Sequence, residues 1–374
     1  MSPDDLRDWL RLLSCVSRGA ARRLLARHGG PGAALAAGQA DWGQALSTEE
    51  AERLRSAPTE LDRLVRRTQA WLSGGERRSI LLLSDTDYPF ALLNTADPPL
   101  MLYLDGRREL LGQRCVAVVG SRRPSPQGDE NARHFAAGLG EAGFCVVSGL
   151  AQGIDGAAHE AALHTPGGTI AVLGTGPDQV YPLGHAELSR HIARRGLLVS
   201  EYFVGTPPMA PNFPQRNRII AGLSEGCLVV EAALKSGSLI TARQASEAGR
   251  EVFAIPGPIH APQSKGCHHL LKQGACLVQE LDDLLAELPA RGSLREAAID
   301  PEPEVDAEAT PESSAAQDDH PLLRAIGRDT VSLEQLSQRS GWPQDELNAT
   351  LLDLELEGLV ARLPGALFQR RRRA

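Results

Sequence analysis

Short apolar segments that end in turns of small residues alternate with alanine-rich segments through the middle of this chain. The clearest pair lies between Val116 and His159, where the segments 116–119 and 146–147 are each followed by glycine and serine. A strand, a tight turn and a helix repeated in this way are typical of parallel βα units. Such units bring their turns together at the carboxyl edge of the sheet, where ligands bind in this class of fold.

Further apolar segments continue the alternation and extend the predicted sheet. They are Thr169–Leu173, Leu197–Ser200, Cys227–Val230 and Val252–Ile255. Because segments that are apolar throughout are typical of strands buried on both faces, we predict a doubly wound, mostly parallel (Rossmann-like) α/β sheet. Two earlier extended segments, Ile80–Leu83 and 98–103, are predicted as edge elements that precede the main sheet.

The chain is too long for one ordinary core, and its composition divides it into four regions. Residues 1–75 have helical periodicity and are predicted to form a helical domain of the SAM-like or helix-hairpin-helix-like type. Residues 76–288 carry the α/β pattern. Residues 289–319 have the composition of a disordered acidic linker, and residues 320–374 have the order of helices and hairpin of a winged helix.

The charged residues of the two flanking regions have different implications. Arg18, Arg22, Arg23 and Arg27 surround a glycine turn, where they could grip a nucleic-acid backbone or form the solvated basic face of a helical bundle. The presumed recognition helix of the winged helix, Pro343–Glu357, carries several acids and no Lys or Arg. Since those acids would repel phosphates, we predict a protein-binding or regulatory role for it.

The net charge of −8 does not argue against an anionic ligand. Residues 296–319 carry nine acids and no Lys or Arg, and 47 acids less those nine leaves 38 against 39 bases elsewhere. The six cysteines form no C-x-x-C pair, the N-terminus is acidic and no apolar segment is long enough to span a bilayer. These features predict a cytoplasmic protein that makes no membrane contact.

The turns after the first two main strands predict an anion-binding edge. Their small residues would let backbone N–H groups approach a phosphate closely, unless they serve only to pack strand against helix. Arg122 adds a guanidinium beside the first turn. A nicotinamide dinucleotide is not expected, because the turn lacks G-x-G-x-x-G and no acid closes the next strand. The predicted phosphate-binding positions here are Gly120, Ser121, Arg122, Ser148, Gly149 and Gly153.

Two later segments add candidate phosphate contacts. Arg216 and Arg218 flank Asn217 at a predicted helix start, where they could reach the strand ends or form salt bridges with Glu201 or Glu231. A lysine before a Ser-Gly-Ser turn opens the next helix, in an order that does not imply ATP hydrolysis. The predicted contacts there are Lys235, Ser236, Gly237 and Ser238, and Lys265 is either another contact or a solvated loop lysine.

Few residues are candidates for catalysis or metal binding. Asp155 and His159 are four apart and could form an acid–base pair, but Asp155 is also well placed as a helix N-cap. Adjacent side chains in Cys267-His268-His269 cannot face one ion from a helix or strand. We therefore predict no metal and no cofactor.

Seven short motifs follow one another in a fixed order through the middle of the chain. They are Asp87-Tyr-Pro89, Pro98-Pro99, Gly120-Ser-Arg122, Ser148-Gly-Leu-Ala-Gln-Gly-Ile-Asp155 with His159, Phe213-Pro-Gln-Arg-Asn-Arg218, Ser236-Gly-Ser238 and Pro256-Gly257. Taken together, these motifs closely resemble the DNA processing protein A (DprA/Smf) family. The resemblance is strong over about residues 80–280, and the order and spacing of the motifs make it specific.

This resemblance implies a non-enzymatic protein that binds single-stranded DNA, dimerises and helps to load the RecA recombinase in natural transformation. It places the family's DNA-contacting arginines on Arg122, Arg216 and Arg218. Two positions depart from the family pattern, since Ala233 stands where a basic residue is frequent and His268 where an asparagine is frequent. For base stacking, the best-placed aromatic residues in the sequence are Phe213 and Tyr202.

Two other functions are possible for such a chain. A nucleotide hydrolase on a sheet like that of the phosphoribohydrolases would need a Pro-Gly-Gly-x-Gly-Thr turn followed by glutamate. The comparable turn here is 236–241, and Arg243 stands where an acid would help. A transcription factor that works through the winged helix is disfavoured by the acids of its recognition helix.

Overall fold

The computed structural model describes residues 2–43 and 45–288, and a smaller set of C-terminal residues. The C-terminal residues described are 331–332, 336, 347, 350–351, 354, 360–363 and 367–370. By its internal contacts the chain divides into two compact units, Met1–Asp300 and Pro301–Ala374.

The first unit begins with helices that serine side chains open. The hydroxyls of Ser2 and Ser47 each accept a hydrogen bond from the backbone N–H three residues on. The carboxylate of the acid at that position accepts one from the backbone N–H of the serine, so both helices start with a capping box. Their buried leucines and tryptophans form one core. The helices are α1 (Pro3–Cys15), α2 (Arg18–His28), α3 (Pro31–Ala36), α4 (Gln39–Trp42), α5 (Thr48–Ser56) and α6 (Leu61–Ser73).

A nine-stranded sheet follows, with β3 near its centre. Along the sheet the strands run β1, β2, β6, β5, β4, β3, β7, β8 and β9. The two earliest strands are antiparallel to their neighbours, and all other pairs are parallel. The strands are β1 (Arg78–Leu82), β2 (Met101–Gly106), β3 (Cys115–Val119), β4 (Cys145–Ser148), β5 (Thr169–Leu173), β6 (Leu197–Ser200), β7 (Gly226–Val229), β8 (Glu251–Ala254) and β9 (Cys276–Leu277).

Helices cover both faces of the sheet, as its fully apolar strands require. Phe135 and Leu139 of α8 pack on Val116 and Val118 of β3 from one side. Ile219 of α11 belongs to the core on the other side. The helices are α7 (Phe90–Leu93), α8 (Pro126–Glu141), α9 (Ile154–Ala162), α10 (Ala186–Arg195), α11 (Asn212–Leu223), α12 (Ser238–Glu247), α13 (Lys265–Lys272) and α14 (Leu281–Glu287). The prediction of a doubly wound, mostly parallel sheet is confirmed.

Ion pairs and one aromatic contact join the helical region to the sheet. Trp71 of α6 meets Tyr103 of β2 edge to face, with 5.6 Å between ring centroids. Asp97 accepts from Arg18 at 2.9 Å and from Arg22 at 2.8 Å, and Arg218 of α11 approaches the same carboxylate at 3.2 Å. The basic residues around the first glycine turn are therefore engaged within the protein.

The second unit contains a three-stranded antiparallel sheet formed by β10 (Val331–Ser332), β11 (Val360–Leu363) and β12 (Leu367–Arg370). The predicted hairpin is present. The sequence pattern also predicts helices over Leu322–Ile326 and Ser332–Gln338, but Ser332 lies in a strand. Described residues 336, 347, 350–351 and 354 are helical. Outside the described residues lie the predicted 289–319 linker, the 322–326 helix, the acids of the recognition helix (Asp345, Glu346, Asp353, Glu355, Glu357) and the last three of the four basic residues Arg370–Arg373.

We expect Asp97→Asn to lower the free energy of unfolding by about 1–3 kcal/mol at neutral pH, because it removes the shared charge partner of three arginines. Burial by itself would raise the pKa of Asp97, but Arg22, Arg218 and Arg18 outweigh it and hold the pKa below its ordinary value. A depressed folded pKa stabilises the protein above the unfolded pKa, so this contribution is lost as pH falls below about 4.

Urea unfolding at neutral pH and at about pH 3 measures this difference. The matched control is Asp129→Asn, which removes the exposed partner of Arg133 within one helix and should cost no more than about 0.5 kcal/mol. A constant gap between wild type and Asp97→Asn at both pH values would contradict the expectation.

Candidate functional site

The chain reverses its direction of travel across the sheet between β3 and β7. From β3 it moves outward through β4, β5 and β6, then returns to β7 on the opposite side of β3. Crossovers from β3 and β7 therefore diverge, and they leave an open crevice at the carboxyl ends of these strands. Its volume is about 740 Å³, and Gly120, Arg122, Tyr181, Phe213, Arg216 and Lys235 are among the residues that line it.

The turn after β3 is closely packed beneath an exposed arginine. A Cβ on Gly120 would lie 2.7 Å from Cγ1 of Ile154, so only glycine lets the turn approach α9. Ser121 Oγ accepts from the Arg123 backbone N–H at 3.1 Å. The side chain of Arg122 is exposed and lines the crevice.

Glu231 at the end of β7 holds the other end of this loop. Its carboxylate accepts from the Ser125 backbone N–H at 2.9 Å and from Ser125 Oγ at 2.5 Å. Ser125 in turn caps α8 by accepting from the Gly128 N–H at 3.0 Å. Sequence reasoning considered Glu231 only as an ion-pair partner for the arginines of α11. Its role in anchoring the loop after β3 depends on contacts with Ser125, which is distant in sequence, so a local pattern does not indicate it.

The turn after β4 uses its polar groups internally. Ser148 is fully buried, and its hydroxyl donates to the Val118 carbonyl at 2.6 Å. The Gly149 and Ala151 N–H groups donate to Asp155 Oδ2 at 3.0 and 3.3 Å. Of the predicted anion-binding groups in this turn, the Ser148 hydroxyl and the Gly149 N–H are thus already occupied. This corrects the expectation for these two positions.

Asp155 is not the N-cap of α9, so that prediction is wrong. Gly153 occupies the cap position with φ +79°, and Asp155 lies in the first turn with its side chain directed back to the preceding loop. A Cβ on Gly153 would lie 2.7 Å from Cδ of Pro124. Burial raises the pKa of Asp155, and the charge of Arg216 opposes that rise.

His159 is a buried histidine with a hydrogen-bond partner at each ring nitrogen. Its Nε2 accepts from the Leu150 N–H at 3.2 Å, so Nδ1 carries the proton and donates to Thr169 Oγ1 at 2.7 Å. The Thr169 hydroxyl in turn donates a hydrogen bond to the Val146 carbonyl. Leu150 has a left-handed backbone (φ +57°), which this contact holds in place. Burial lowers the pKa of His159 to about 3, so the ring is neutral.

Arg216 and Arg218 face different ways from α11. Side chains two positions apart on a helix point about 200° away from each other around its axis, so Arg216 and Arg218 cannot both enter one crevice. Arg216 is buried and lines the crevice, where its Nη1 donates to the Val172 carbonyl. Its guanidinium covers Gly149, where a Cβ would lie 2.6 Å from Nη2. Burial lowers the pKa of Arg216 to about 10, so it remains a cation at neutral pH.

Arg218 forms one of the two salt bridges that were the alternative for this segment, the one with Glu201, and a further one with Asp97. Its Nη2 lies 2.6 Å from Glu201 and its Nε lies 3.2 Å from Asp97. It does not line the crevice. The prediction that it projects to the strand ends is therefore wrong, because its helix face is directed at the helical region.

The segments around α12 supply the far wall. Asn217 Nδ2 donates to the Gly237 carbonyl at 3.3 Å, and Ser236 Oγ lies 2.6 Å from Ser238 Oγ. Lys235 is exposed and pairs with no carboxylate in the described part of the chain. All of these residues line the crevice. Lys265 is exposed at the start of α13 and lies outside the crevice lining.

Two aromatic rings and Arg122 form a stack on the crevice wall. The Tyr181 and Phe213 ring centroids are 5.3 Å apart, and the Arg122 guanidinium carbon lies 5.8 Å from the Phe213 centroid. Tyr181 is 42% exposed. Sequence reasoning missed Tyr181, although its position in the glycine-rich segment after β5 could have indicated it. Tyr202 instead donates its hydroxyl to the Asn212 carbonyl at 2.9 Å and lies outside the crevice lining.

Among the described residues, the charged groups on the crevice are Arg122, Arg216, Lys235 and Asp155. The excess of cations beside the exposed Tyr181 ring and the half-buried Phe213 ring favours a ligand that is anionic and has flat, stackable parts. Within the described ranges, His, Cys, Asp and Glu nowhere gather in a group of three that could hold a metal. The fold and the crevice thus define a Rossmann-like α/β protein with a cationic, aromatic-lined site at its switch point.

The chain belongs to the DNA recombination-mediator protein A family, whose model matches residues 79–289. A DprA winged helix domain model matches residues 306–366. The family and the C-terminal winged helix predicted from the sequence are confirmed. Among the helices that the structure describes, none combines the length and apolar character needed to cross a bilayer.

Relatives match most of the chain. Protein Smf of Escherichia coli is 42% identical over 330 residues, which cover 87% of this chain and 86% of that protein. The structure of DNA processing protein A from Streptococcus pneumoniae aligns with a TM-score of 0.66 at 36% identity, covering 78% of this chain and 99% of that one. The Helicobacter pylori protein, described for its single-stranded DNA binding mode, aligns with a TM-score of 0.52 at 32% identity, covering 57% and 98%.

Proposed function

We propose that this protein binds single-stranded DNA in the strand-end crevice, protects incoming DNA and assists the loading of RecA during natural transformation and recombination. The observation that carries the proposal is the juxtaposition of Arg122, Arg216 and Lys235 with the Tyr181–Phe213 ring pair on one open crevice. Cations hold a phosphodiester backbone, and exposed rings stack on bases that are not paired with a second strand.

The cations are available for phosphates to different degrees. Arg122 and Lys235 are exposed and have no carboxylate partner in the described part of the chain, so a phosphate displaces no ion pair. Arg216 is held in place by burial, and its Nε is a buried donor without a partner. A buried guanidinium that lines the same crevice as two exposed cations suits a backbone that passes through the crevice in one register.

The polar groups of the crevice wall complete the proposed contact surface. It contains Gly120, Ser121, Asn217, Ser236, Gly237 and Ser238, which line the crevice with the three cations. Ser148, Gly149 and Arg218 do not line the crevice and their polar groups are used internally, so they are not part of this surface, and Gly153 is assigned to the shape of the turn. Lys265 remains a proposed outer contact, since its side chain is exposed.

We propose that the protein binds its ligand and catalyses no reaction on it. The two candidate catalysts do not contact each other through a hydrogen bond in the structure: Asp155 accepts from backbone N–H groups, and His159 is neutral with both ring nitrogens occupied. Both support the loop under Arg216. The competing function, nucleotide hydrolysis, would need one of these groups to be released. Release of base or phosphate from incubated nucleotides would favour it.

Family membership and the sequence support a proposal for the partners and the domain limits. We propose a cytoplasmic homodimer whose α/β domain (76–288) binds DNA, with a helical domain before it (1–75) and a winged helix after the acidic linker. The family description as a recombination mediator supports a RecA partner. The winged helix is proposed to contact protein, because the predicted recognition helix is acidic.

Arg122→Ala should weaken binding of a fluorescent single-stranded oligonucleotide about tenfold, because it removes one charge-assisted phosphate contact. The slope of log affinity against log salt should become shallower by about 0.7, the value for one phosphate on a single strand. Fluorescence anisotropy across a salt series measures both quantities, with duplex DNA of the same sequence as the comparison.

Arg123→Ala is the matched control. Arg123 is the neighbouring arginine, is also exposed and does not line the crevice, so its loss should change affinity much less. Equal losses in the two variants would mean that only general charge matters. No binding by the wild type at low salt would reject the proposed function.

Tyr181→Ala should cost about 1–3 kcal/mol of single-strand affinity through lost base stacking, with the salt slope unchanged. Tyr181→Phe keeps the ring and should bind like the wild type. The same anisotropy series separates stacking from charge, since Arg122→Ala changes the slope and Tyr181→Ala does not. A loss of affinity in Tyr181→Phe as large as in Tyr181→Ala would show that the hydroxyl, not the ring, makes the contact.

The wild-type protein should shorten the lag before RecA forms filaments on DNA that is coated with a single-strand binding protein. Arg122→Ala should lose this effect at concentrations where it no longer binds DNA. RecA ATP hydrolysis, which reports filament formation, is the measurement, and Arg123→Ala again serves as the control. If the wild-type protein binds the DNA tightly but leaves the lag as long as it is without the protein, RecA loading would be removed from the proposal and DNA binding would stay.

A further inference from the structure

A second group of arginines without a carboxylate partner in the described part of the chain lies at the amino-terminal edge of the sheet, opposite the crevice. There the ends of α9 and α10 enclose a recess of about 350 Å³. Its lining is Leu163, His164, His191, Arg194 and Arg195, with no acid among them. Of the two arginines, Arg195 lies 3.3 Å from His164 Nδ1, and neither pairs with a carboxylate within the described ranges.

Capping of α10 does not account for these arginines. Basic residues in a last helical turn are commonly stabilised by the free carbonyls there. In this protein two of those carbonyls accept from outside the helix: Arg77 donates to the Arg194 carbonyl at 2.9 Å and Arg107 to the Arg195 carbonyl at 3.4 Å. The side chains of Arg194 and Arg195 are exposed.

The helix itself connects this recess to the crevice. Tyr181 lines the crevice. Tyr181 and Pro182 also line a smaller recess beside it, which shares Arg122 and Arg216 with the crevice, and α10 begins just after them at Ala186. The imidazole of His185, at the cap of α10, lies 3.0 Å from the Leu150 carbonyl, in the turn beneath the crevice. The helix then runs to the amino edge of the sheet, where β6 begins at Leu197.

The outer side of α10 is basic along most of this path. Arg190 and His191 are exposed in the middle of the helix, and Arg194 and Arg195 are exposed at its end. Glu187 in the first turn is the acid of this face. Ten residues of helix span about 15 Å, which corresponds to about four phosphates at the axial spacing of one strand of B-form DNA.

We infer that α10 forms a second nucleic-acid contact, which carries the strand from the crevice across the edge of the protein to the recess at Arg194 and Arg195. The ligand there is a phosphodiester backbone, bound by charge without base reading. This inference rests on the proposed single-strand binding function and extends it. The bound strand is therefore longer than the crevice alone can hold.

The test uses the full-length protein and two oligonucleotides, one of about 6 nucleotides that fits the crevice and one of about 24 that reaches beyond it. Arg194→Ala/Arg195→Ala should bind the short one like the wild type. It should bind the long one about tenfold more weakly, with a salt slope shallower by about 1.4. Alanine favours helix, so α10 is retained, which circular dichroism checks.

Arg55→Ala/Arg63→Ala is the matched control. It removes two exposed arginines that pair with glutamates of their own helices, 57% and 65% exposed, and should leave both affinities unchanged. If the α10 variant bound the long oligonucleotide like the wild type, or lost affinity equally for both lengths, the inference would be overturned. Calorimetry with inorganic phosphate tests the other source of the same chemistry. Phosphate binding lost in the variant without a change for the long oligonucleotide would make the recess a small-anion site and overturn the strand path.

The short oligonucleotide separates this inference from the proposed function. Failure of the wild type to bind it would reject the crevice as the DNA site, and the strand path with it. Normal short-oligonucleotide binding without a length-dependent loss in the α10 variant would reject the strand path alone.

Discussion

The parallel pairing of β3 with β4 on one side and β7 on the other is the constraint on which the rest of the structure depends. It makes the chain leave the sheet in two directions from adjacent strands, and the turns at their ends cannot fill the space between them. The crevice is that space. Gly120 and Gly153 allow the turns to approach closely, and Glu231 ties the loop after β3 to the end of β7. The exposed Arg122 is thus carried by a loop anchored at both ends.

The protein divides its arginines between structure and surface. Arg18, Arg22 and Arg218 share Asp97 and Glu201 where the helical region meets the sheet, so they contribute to cohesion more than to surface potential. Arg122 and the arginines of α10 lack such partners in the described part of the chain and remain available to a polyanion. A chain with a net charge of −8 can therefore present basic tracts.

Sequence reasoning was most successful where a local pattern carries the information. The apolar segments and small-residue turns predicted the strands and their mostly parallel pairing, and the spaced motifs identified the family. Sequence reasoning was least successful where the outcome depended on the direction in which a side chain points. Arg216 and Arg218 lie in the same short sequence segment, on either side of Asn217. The helix nevertheless directs Arg216 into the crevice and Arg218 towards Asp97 and Glu201. Ser148 was similar, since its hydroxyl turns inward to β3.

What the sequence by itself determined was the alternation of buried strands and helices, and with it the topological class, because hydrophobic periodicity and turn residues act over a few neighbours. The tertiary structure alone decided which polar groups face the crevice. Tyr181 meets Phe213 across 32 residues of chain, and His159 supports Leu150 through a hydrogen bond that the helix start makes possible. Burial then decided that His159 is neutral and that Asp155 serves the turn. Such outcomes depend on packing between distant segments, which no local pattern encodes.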